Sequence, residues 1–160
     1  AGPLVEVIVT QNVDDLHERA GSTVLTHLHG SLFAFRCDSC GRPYDGALPE
    51  VTTPVERIDP PRCARGDGLI RPGVVWFGEM LPPGAFDTAY DSCRESQVVL
   101  VVGTSGLVYP AAVLPELARA AGALVVEINP DDTEISGAVD LTWRETAAVA
   151  LPTLLTALAG

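Results

Sequence analysis

The sequence predicts an α/β fold built on a parallel sheet, with a small loop-rich module inserted into it. Continuous apolar runs typical of buried strands alternate with helical patterns along most of the chain. Between Ser31 and Pro72 the composition changes, because this stretch holds three of the four cysteines and six prolines but little helical periodicity. We therefore expect right-handed crossovers between parallel strands, and a separate small module that needs an additional cross-link to stabilise it.

The apolar runs place four strands and three helical segments. The predicted strands are at 5–9, 98–102, 124–128 and 140–143. The predicted helical segments are a short helix or turn from Asp14, a helix at 109–121 closed by Gly122, and a final helix at 146–159. The strands at 5–9 and 98–102 are rich in β-branched apolar residues, so we expect both to be buried, the first of them on both faces. Ligands of such sheets bind beyond the carboxyl ends of the strands, where this chain carries the small polar residues TQN, GTS and NP.

Composition and charge exclude several classes of protein. The chain has 160 residues and a formal charge of −11, from 21 acidic and 10 basic residues. All ten basic residues are Arg. A surface this acidic repels phosphate backbones, so direct binding of nucleic acid is not expected. We expect no membrane span either, because glycines and a proline interrupt the uncharged stretch 98–115. Four cysteines without secretory features favour a cytoplasmic protein in which they have metal-binding or structural roles.

Two sets of polar residues are candidates for a ligand site. The first follows the first strand and comprises Gln11, Asn12 and Asp14, with the histidines of the segment 27–30, His27 and His29, a short distance further along. Amides and carboxylates can hydrogen-bond a ribose, and a histidine that titrates near neutrality can act as a general base. The alternative is a turn whose side chains cap a helix. The second set is Gly103, Thr104 and Ser105, where small residues would let the backbone approach a phosphate or ribose; an ordinary strand-to-helix turn is its alternative.

The cysteines suggest a structural zinc site that is incomplete. Cys37 and Cys40 form a C-x-x-C pair, and Cys63 follows after 22 intervening residues. The second pair is broken, because Gly66 stands where a fourth cysteine would be. Asp67 or a water would have to supply the fourth ligand, and the alternative is a degenerate site without metal. We expect Cys93, far along the chain, to be a core thiol in a helix.

One further segment, RPGVVWFGE at 71–79, combines apolar residues with two large aromatic side chains. An extended segment of this kind could pair with a peptide by strand addition and clamp an apolar side chain. A core strand with a buried Trp76 is the alternative.

Taken together and in order, these segments resemble the sirtuin family of NAD-dependent protein-lysine deacylases. The resemblance lies in TQNVDDLHERAGS, HGS, CDSC, RPGVVWFGE, VVGTSGLVYPAA and VEINP. It implies a Rossmann-like NAD-binding domain formed by 1–31 and 73–160, around a small zinc-ribbon-like module at 32–72. The family's opening G-A-G-x-S and G-I-P-x-F-R segments do not occur in the chain. We therefore expect the N-terminal strands of the sheet to be missing.

The resemblance also implies a role for each candidate residue. His29 corresponds to the catalytic general base, with Asn12 and Asp14 in the nicotinamide-ribose pocket. The implied cofactor contacts are Gln11, Asn12, Asp14, Gly103, Thr104, Ser105 and Asn129. The implied contacts with the acyl-lysine substrate are Val75, Trp76, Phe77, Gly78 and Glu79. The implied zinc ligands are Cys37, Cys40 and Cys63.

The implied activity is that of a deacetylase or desuccinylase, which transfers an acyl group from protein lysine to ADP-ribose and releases nicotinamide. The chain has no Lys, so the acyl-lysine must come from another polypeptide. One alternative is a non-catalytic module that binds NAD or ADP-ribose without the pyrophosphate loop. Another is a zinc-ribbon-like interaction module.

Overall fold

The structure is a computed structural model that describes residues 7–159. The strands are β1 (Ile8–Thr10), β2 (Val24–His27), β3 (Gly30–Cys37), β4 (Pro43–Tyr44), β5 (Ile70–Val74), β6 (Val98–Val102), β7 (Leu124–Ile128) and β8 (Leu141–Trp143). The helices are α1 (Leu16–Arg19), α2 (Ala85–Glu95), α3 (Leu114–Ala120), which a 3-10 turn at Ala111–Val113 precedes, and α4 (Ala147–Ala159). Residue contacts divide the chain into two compact units, Ala1–Pro83 and Gly84–Gly160.

The first unit contains a parallel pair of strands. β1 pairs with β2, so that Thr10 lies opposite His27 at the carboxyl ends of both strands. The start of the predicted strand at 5–9 lies outside the described residues, and β1 runs one residue further than predicted. Ile8 and Val9 are half-buried, so the expectation of a strand buried on both faces is not met. The fully buried Leu28 follows β2 and anchors its end.

The inserted stretch is organised by an antiparallel sheet in the order β4-β3-β5. β3 and β5 approach closely at Gly30, where φ is +74° and a Cβ atom would lie 2.0 Å from the carbonyl oxygen of Gly73. Only glycine fits this crossing. Residues 45–69 contain no helix and no strand beyond an isolated bridge between Arg62 and Leu69, which agrees with the predicted loop-rich character.

The second unit is a parallel sheet in the order β6-β7-β8, with α2 and α3 packed against each other. β6 and β7 have the predicted bounds, since both are runs of β-branched and apolar residues. α3 is shorter than predicted and ends before Gly122, whose φ of +101° suits the expected C-terminal cap. α2 buries Ala85, Ala89 and Cys93, which are four residues apart and share one face. Cys93 is therefore a core thiol, as expected.

Burial of β6 is less complete than the sequence predicts. Val98 and Val102 are 53% and 37% exposed, and within the described residues β6 pairs only with β7.

The predicted division of the chain into one domain at 1–31 with 73–160 and a module at 32–72 stays a prediction. No helix in residues 7–159 combines the length and the apolar character needed to cross a membrane.

Candidate active site and metal centre

His29 lies just after β2, with one ring nitrogen held by the backbone. Its Nδ1 atom is 3.2 Å from the carbonyl oxygen of Gln11. A carbonyl oxygen can only accept a hydrogen bond, so Nδ1 carries the proton and the neutral ring keeps its lone pair on Nε2. Within residues 7–159, Nε2 has no hydrogen-bond partner. The ring is therefore oriented as a general base requires, with the proton-accepting nitrogen available.

His27, two residues earlier, is held at both ring nitrogens. Its Nδ1 atom lies 3.0 Å from the carbonyl oxygen of Asn12, and its Nε2 atom lies 2.6 Å from Oε1 of Glu18. Burial lowers the pKa of His27, but the hydrogen bonds to Glu18 and Asn12 outweigh it and hold the pKa above its usual value. His27 thus ties the turn after β1 to α1. The sequence motif alone could not separate this role from that of His29.

The polar residues after β1 form a hydrogen-bonded turn. The backbone N–H of Asn12 donates to Oγ1 of Thr10 at 3.0 Å, and that of Leu16 donates to Oδ1 of Asp14 at 3.1 Å. Both bonds close local turns ahead of α1. The N-cap residue of α1 is Asp15, which makes no side-chain capping hydrogen bond, so the capping alternative is not confirmed. The side-chain amide of Asn12 is exposed and makes no hydrogen bond within the described residues, so it is available to a ligand.

The predicted substrate segment begins beside His29. The backbone N–H of Val75 donates to the carbonyl oxygen of His29 at 2.9 Å. β5 ends at Val74, and the chain then turns at 76–79 instead of continuing as the extended strand that the sequence predicts. Trp76 and Phe77 are 63% and 98% exposed, so the alternative of a core strand with a buried Trp is wrong.

The side chain of Glu79 holds this turn. Its Oε2 atom accepts from the backbone N–H of Trp76 at 3.1 Å and from Arg36 Nη2 at 2.8 Å, while Oε1 accepts from Arg71. The Arg71 guanidinium also lies 4.7 Å from the centre of the Trp76 ring. Hydrogen bonds from Arg71 and from the Trp76 backbone lower the pKa of Glu79 to about 2. Because the Glu79 carboxylate already accepts hydrogen bonds from three donors, its role in the segment is to hold the backbone at Trp76 in place.

In the second unit, the predicted nucleotide contacts lie at the carboxyl ends of β6 and β7. Gly103 has a φ of +65° and open space where a side chain would stand. Nδ2 of Asn129 donates to the carbonyl oxygen of Thr104 at 3.1 Å, and the backbone N–H of Glu134 donates to that of Ser105 at 3.3 Å. Small residues with an open backbone face fit the approach of a ribose or phosphate.

Glu127, a buried acidic residue on β7 two positions before Asn129, was not identified from the sequence. Glu127 on β7 is 1% exposed, and its carboxylate accepts from Thr133 Oγ1, from Ser136 Oγ at 2.7 Å and from Arg144 Nη1 at 2.7 Å. Burial raises the pKa of Glu127, but these hydrogen bonds and the charge of Arg144 outweigh it, and the net pKa is lowered. The sequence did offer a signal for this buried carboxylate, because LVVEI places one acidic residue inside an otherwise apolar strand.

The three cysteines of the inserted stretch come together. The sulfur atoms of Cys37, Cys40 and Cys63 lie within 4.8 Å of one another, with 3.9 Å between those of Cys40 and Cys63. A tetrahedral zinc with bonds of about 2.3 Å places sulfur ligands about 3.8 Å apart. Backbone N–H groups of Cys40 and Ser39 lower the pKa of Cys37, whereas burial and the two neighbouring thiols raise the pKa of Cys63. The thiolate that a metal requires is therefore favoured at Cys37. The donor set is compatible with zinc in three of four positions.

The fourth position has no protein ligand in the described part of the chain. Residues 63–66 keep a turn, in which the N–H of Gly66 lies 3.4 Å from the carbonyl oxygen of Cys63. Asp67 is not a member of the cysteine cluster, so the expectation that it could complete the site is not supported. A water is the remaining candidate.

The structure thus brings the predicted site residues together in three places. Gln11, Asn12, Asp14, His29 and 75–79 lie in the first unit, and the three cysteines form a separate cluster in that unit. Gly103, Thr104, Ser105 and Asn129 lie in the second unit. Their roles in binding and catalysis stay predictions.

Comparison with known proteins identifies the family. The model of the Sir2 family matches residues 3–110. The NAD-dependent protein deacylase Sir2 of Mycolicibacterium smegmatis is 60% identical over 148 residues, which cover 92% of this chain and 61% of that protein. The chain therefore spans about three-fifths of the length of this relative.

Solved structures agree with the sequence comparison. The crystal structure of a Sir2 homologue in complex with NAD has a TM-score of 0.84 and 42% identity, and covers 98% of this chain and 59% of that chain. A structure of Sir2 with an inhibitor, 2′-O-acetyl-ADP-ribose and a deacetylated p53 peptide has a TM-score of 0.81 and 31% identity, and covers 98% and 66%. Because the family model matches more than half of the chain, this chain belongs to the Sir2 family.

Proposed function

We propose that the protein is an NAD-dependent protein-lysine deacylase, which transfers the acyl group of an acyl-lysine to ADP-ribose and releases nicotinamide. Membership of the Sir2 family supports this activity, as does the name of the 60% identical relative, an NAD-dependent protein deacylase. The single observation that carries it is the orientation of His29, whose Nδ1–H donates to Gln11 while Nε2 has no partner within the described residues.

NAD supplies the ADP-ribose that receives the acyl group, and nicotinamide is the leaving group. After the acyl oxygen has attacked the anomeric carbon and displaced nicotinamide, Nε2 of His29 would take the proton of a ribose hydroxyl, whose oxygen then bonds to the acyl carbon. A water would supply the oxygen that replaces the lysine nitrogen on that carbon, so that the amine leaves and the acyl group stays on ADP-ribose. The protonated imidazole ring carries a positive charge, and the carbonyl oxygen of Gln11 at 3.2 Å stabilises it. The exposed amide of Asn12 contacts the ribose, and Asp14 organises the same pocket from its turn.

The adenosine end of NAD would bind in the second unit. Gly103, Thr104 and Ser105 offer backbone N–H groups and hydroxyls next to an open backbone face. Asn129 would contact the adenosine ribose, with its amide already aligned by the carbonyl oxygen of Thr104.

The acyl-lysine peptide would bind along residues 75–79. The exposed rings of Trp76 and Phe77 offer apolar surface to the acyl chain and the lysine stem, and Glu79 fixes the turn that carries them. The substrate is a separate polypeptide, because the chain has no Lys. Its net charge of −11 would favour basic substrate segments.

Two further expectations belong to this proposal. Cys37, Cys40 and Cys63 would hold a structural zinc that stiffens the long loop at 45–69. A cytoplasmic location is proposed because the four cysteines are free thiols, as is usual in a reducing compartment.

Nicotinamide release from NAD tests the proposal, measured with and without an acetyl-lysine peptide. With substrates in large excess over protein, we expect sustained peptide-dependent release that His29→Ala abolishes and His17→Ala leaves intact, since the side chain of His17 makes no hydrogen bond in the described part of the chain. Because nicotinamide leaves before His29 acts, His29→Ala can release at most one equivalent per protein molecule. Release that does not depend on the peptide, or many turnovers by His29→Ala, would contradict the proposal.

The second candidate is a module that binds NAD or ADP-ribose without turnover. The open backbone face at Gly103 and the aligned amide of Asn129 favour it, because they would serve nucleotide binding without any catalytic step. Calorimetry distinguishes the two, because a binding module takes up ADP-ribose but releases no nicotinamide from NAD.

A further inference from the structure

We propose that Glu127 and Arg144 are positioning residues, which act through the segment 130–136 to hold Asn129 and the Ser105 turn in their nucleotide-binding arrangement. The inference rests on the proposed function, since it takes Asn129 and the 103–105 turn as contacts of the nucleotide. Neither Glu127 nor Arg144 would touch the nucleotide itself.

The first step is the burial of Glu127. It lies on β7, two residues before Asn129, and is 1% exposed. A buried carboxylate is tolerated only when it is paired and hydrogen-bonded. Here both oxygens are satisfied, by hydroxyl groups from the segment 130–136 and by the guanidinium of Arg144.

Arg144 closes the network from the end of β8. Its Nη1 atom donates to Glu127 at 2.7 Å and its Nη2 atom to Ser136 at 2.9 Å, while Nε donates to Asp132 at 2.9 Å. One side chain therefore bonds the buried strand and two points of the segment that follows it. This planar fork fixes the direction in which 130–136 leaves β7.

The same segment is bonded on its other side to the predicted nucleotide turn. The N–H of Glu134 donates to the carbonyl oxygen of Ser105 at 3.3 Å. A Cβ atom at Gly106 would lie 2.7 Å from Cγ2 of the buried Ile135, so backbone and side chain are in close contact there.

Asn129 is bonded both to the end of β8, next to Arg144, and to the 103–105 turn. Its backbone N–H donates to the carbonyl oxygen of Trp143, the neighbour of Arg144, and its amide donates to Thr104. When Glu127 loses its charge, Arg144 loses its buried partner and the segment is no longer drawn against β7. We therefore expect the amide of Asn129 and the carbonyl of Ser105 to lose their fixed arrangement.

Calorimetric titration of the purified protein with ADP-ribose tests the inference. Glu127→Gln keeps the shape of the side chain and removes its charge, and we expect the Kd for ADP-ribose to rise at least tenfold. Glu95→Gln is the matched control, because Glu95 is exposed at the end of α2 and has no ion pair in the described residues. A merely structural role would lower the fraction of folded, binding-competent protein at an unchanged Kd.

Ser136→Ala removes one hydroxyl from the network and is the milder second variant, which decides the matter if Glu127→Gln does not fold. We expect its Kd to rise about threefold, and in turnover we expect the KM for NAD to rise while kcat and the peptide KM stay constant. An unchanged Kd in the folded variants would overturn the inference. If the unsubstituted protein itself does not bind ADP-ribose, the proposed function fails and the inference fails with it. Binding by the unsubstituted protein with no effect of the variants overturns the inference alone.

Discussion

The Nδ1 atom of His29 lies 3.2 Å from the carbonyl oxygen of Gln11, which fixes both the orientation and the tautomer of the imidazole. The carbonyl belongs to the turn after β1, and the histidine follows β2, the parallel neighbour of β1. Because the carboxyl ends of the two strands meet at Thr10 and His27, the proposed general base and its orienting carbonyl come together from positions 18 residues apart. The proposed proton acceptor is thus prepared before any substrate binds.

Replacing His29 by Gln keeps a polar side chain but removes the proton acceptor. General base catalysis contributes about 10²–10⁴-fold to a rate. We expect kcat for peptide-dependent nicotinamide release to fall within that range, with KM for NAD and peptide changed much less. Steady-state kinetics of His29→Gln, with His17→Gln as control, measures this. A variant that keeps more than about a tenth of the activity would contradict the role of His29.

The ion pair between His27 and Glu18 makes stability depend on pH. The pKa of His27 is raised above 6.5, so its contribution is complete below that value and is lost as pH rises through the folded-state pKa. The pKa of Glu18 is lowered from 4.5, so its contribution is complete above that value and is lost at lower pH. We expect Glu18→Gln to destabilise the protein most between about pH 4.5 and 6.5. Urea unfolding at several pH values tests this; an effect that is the same at pH 8 would contradict it.

Glu79 should dominate the acid sensitivity of the turn at 76–79. Its pKa is lowered from 4.5 to about 2 by Arg71 and the Trp76 backbone, so the stability it provides is complete above pH 4.5 and is lost as pH falls towards 2. We expect Glu79→Gln to be less stable than the unsubstituted protein at pH 6 and to lose less stability on acidification. Trp76 fluorescence, read in a Trp143→Phe background, reports the turn directly. Glu50→Gln serves as control, since Glu50 is exposed and has no partner among residues 7–159.

Phe77 separates substrate binding from stability. Its side chain is 98% exposed, so Phe77→Ala should change the free energy of unfolding by less than about 0.5 kcal/mol. The peptide KM should nevertheless rise several-fold, because the ring is proposed to contact the substrate. Leu28→Ala is the contrasting variant: Leu28 is 1% exposed, and its truncation should cost about 2–5 kcal/mol. An unchanged peptide KM in Phe77→Ala would remove this residue from the substrate site.

The cysteine cluster leads to a prediction of the zinc content and of a substitution that should tighten zinc binding. We expect metal analysis to find close to one zinc per chain, and Cys40→Ser to lower it strongly. Gly66→Cys should tighten zinc binding at least tenfold, because a Cβ atom at position 66 meets nothing within 4 Å and would restore a fourth thiolate. Cys93→Ala, in the buried face of α2, should leave zinc content unchanged. Metal-free protein with intact stability would show that the cluster needs no ion.

The sequence predicted the second unit better than the first, for physical reasons. β6 is an uninterrupted apolar run followed by glycine, and β7 is an apolar run interrupted by Glu127 and followed by Asn129 and a proline, so the hydrophobic pattern alone locates them. β3 and β5 contain Arg36, Arg71 and Pro72 and have little alternation, so their antiparallel pairing could not be read from a pattern. That pairing depends on the close approach of Gly30 to Gly73, a contact between residues more than 40 positions apart.

Within the candidate site, residue type could be predicted but arrangement could not. The motifs indicated His29, Asn129 and the GTS turn, whereas the separate roles of His27 and His29 depend on which carbonyl or carboxylate each ring meets. Glu127 was missed because an acidic residue within a strand gives no sign of its partners, which come from the following loop and from the end of β8. Glu79 was placed in the substrate segment, but its contacts with Arg36 and Arg71 required the fold of the β3–β5 sheet.

The most direct test of the central claim is mass-spectrometric analysis of the reaction of the protein with NAD and an acetyl-lysine peptide. With both substrates in large excess over protein, we expect nicotinamide, deacetylated peptide and acetylated ADP-ribose in equal amounts. With His29→Ala we expect at most one equivalent of nicotinamide per protein molecule and neither of the other two products. Free acetate in place of acetylated ADP-ribose, or formation of either of those two products by His29→Ala, would contradict acyl transfer to ADP-ribose with His29 as the base.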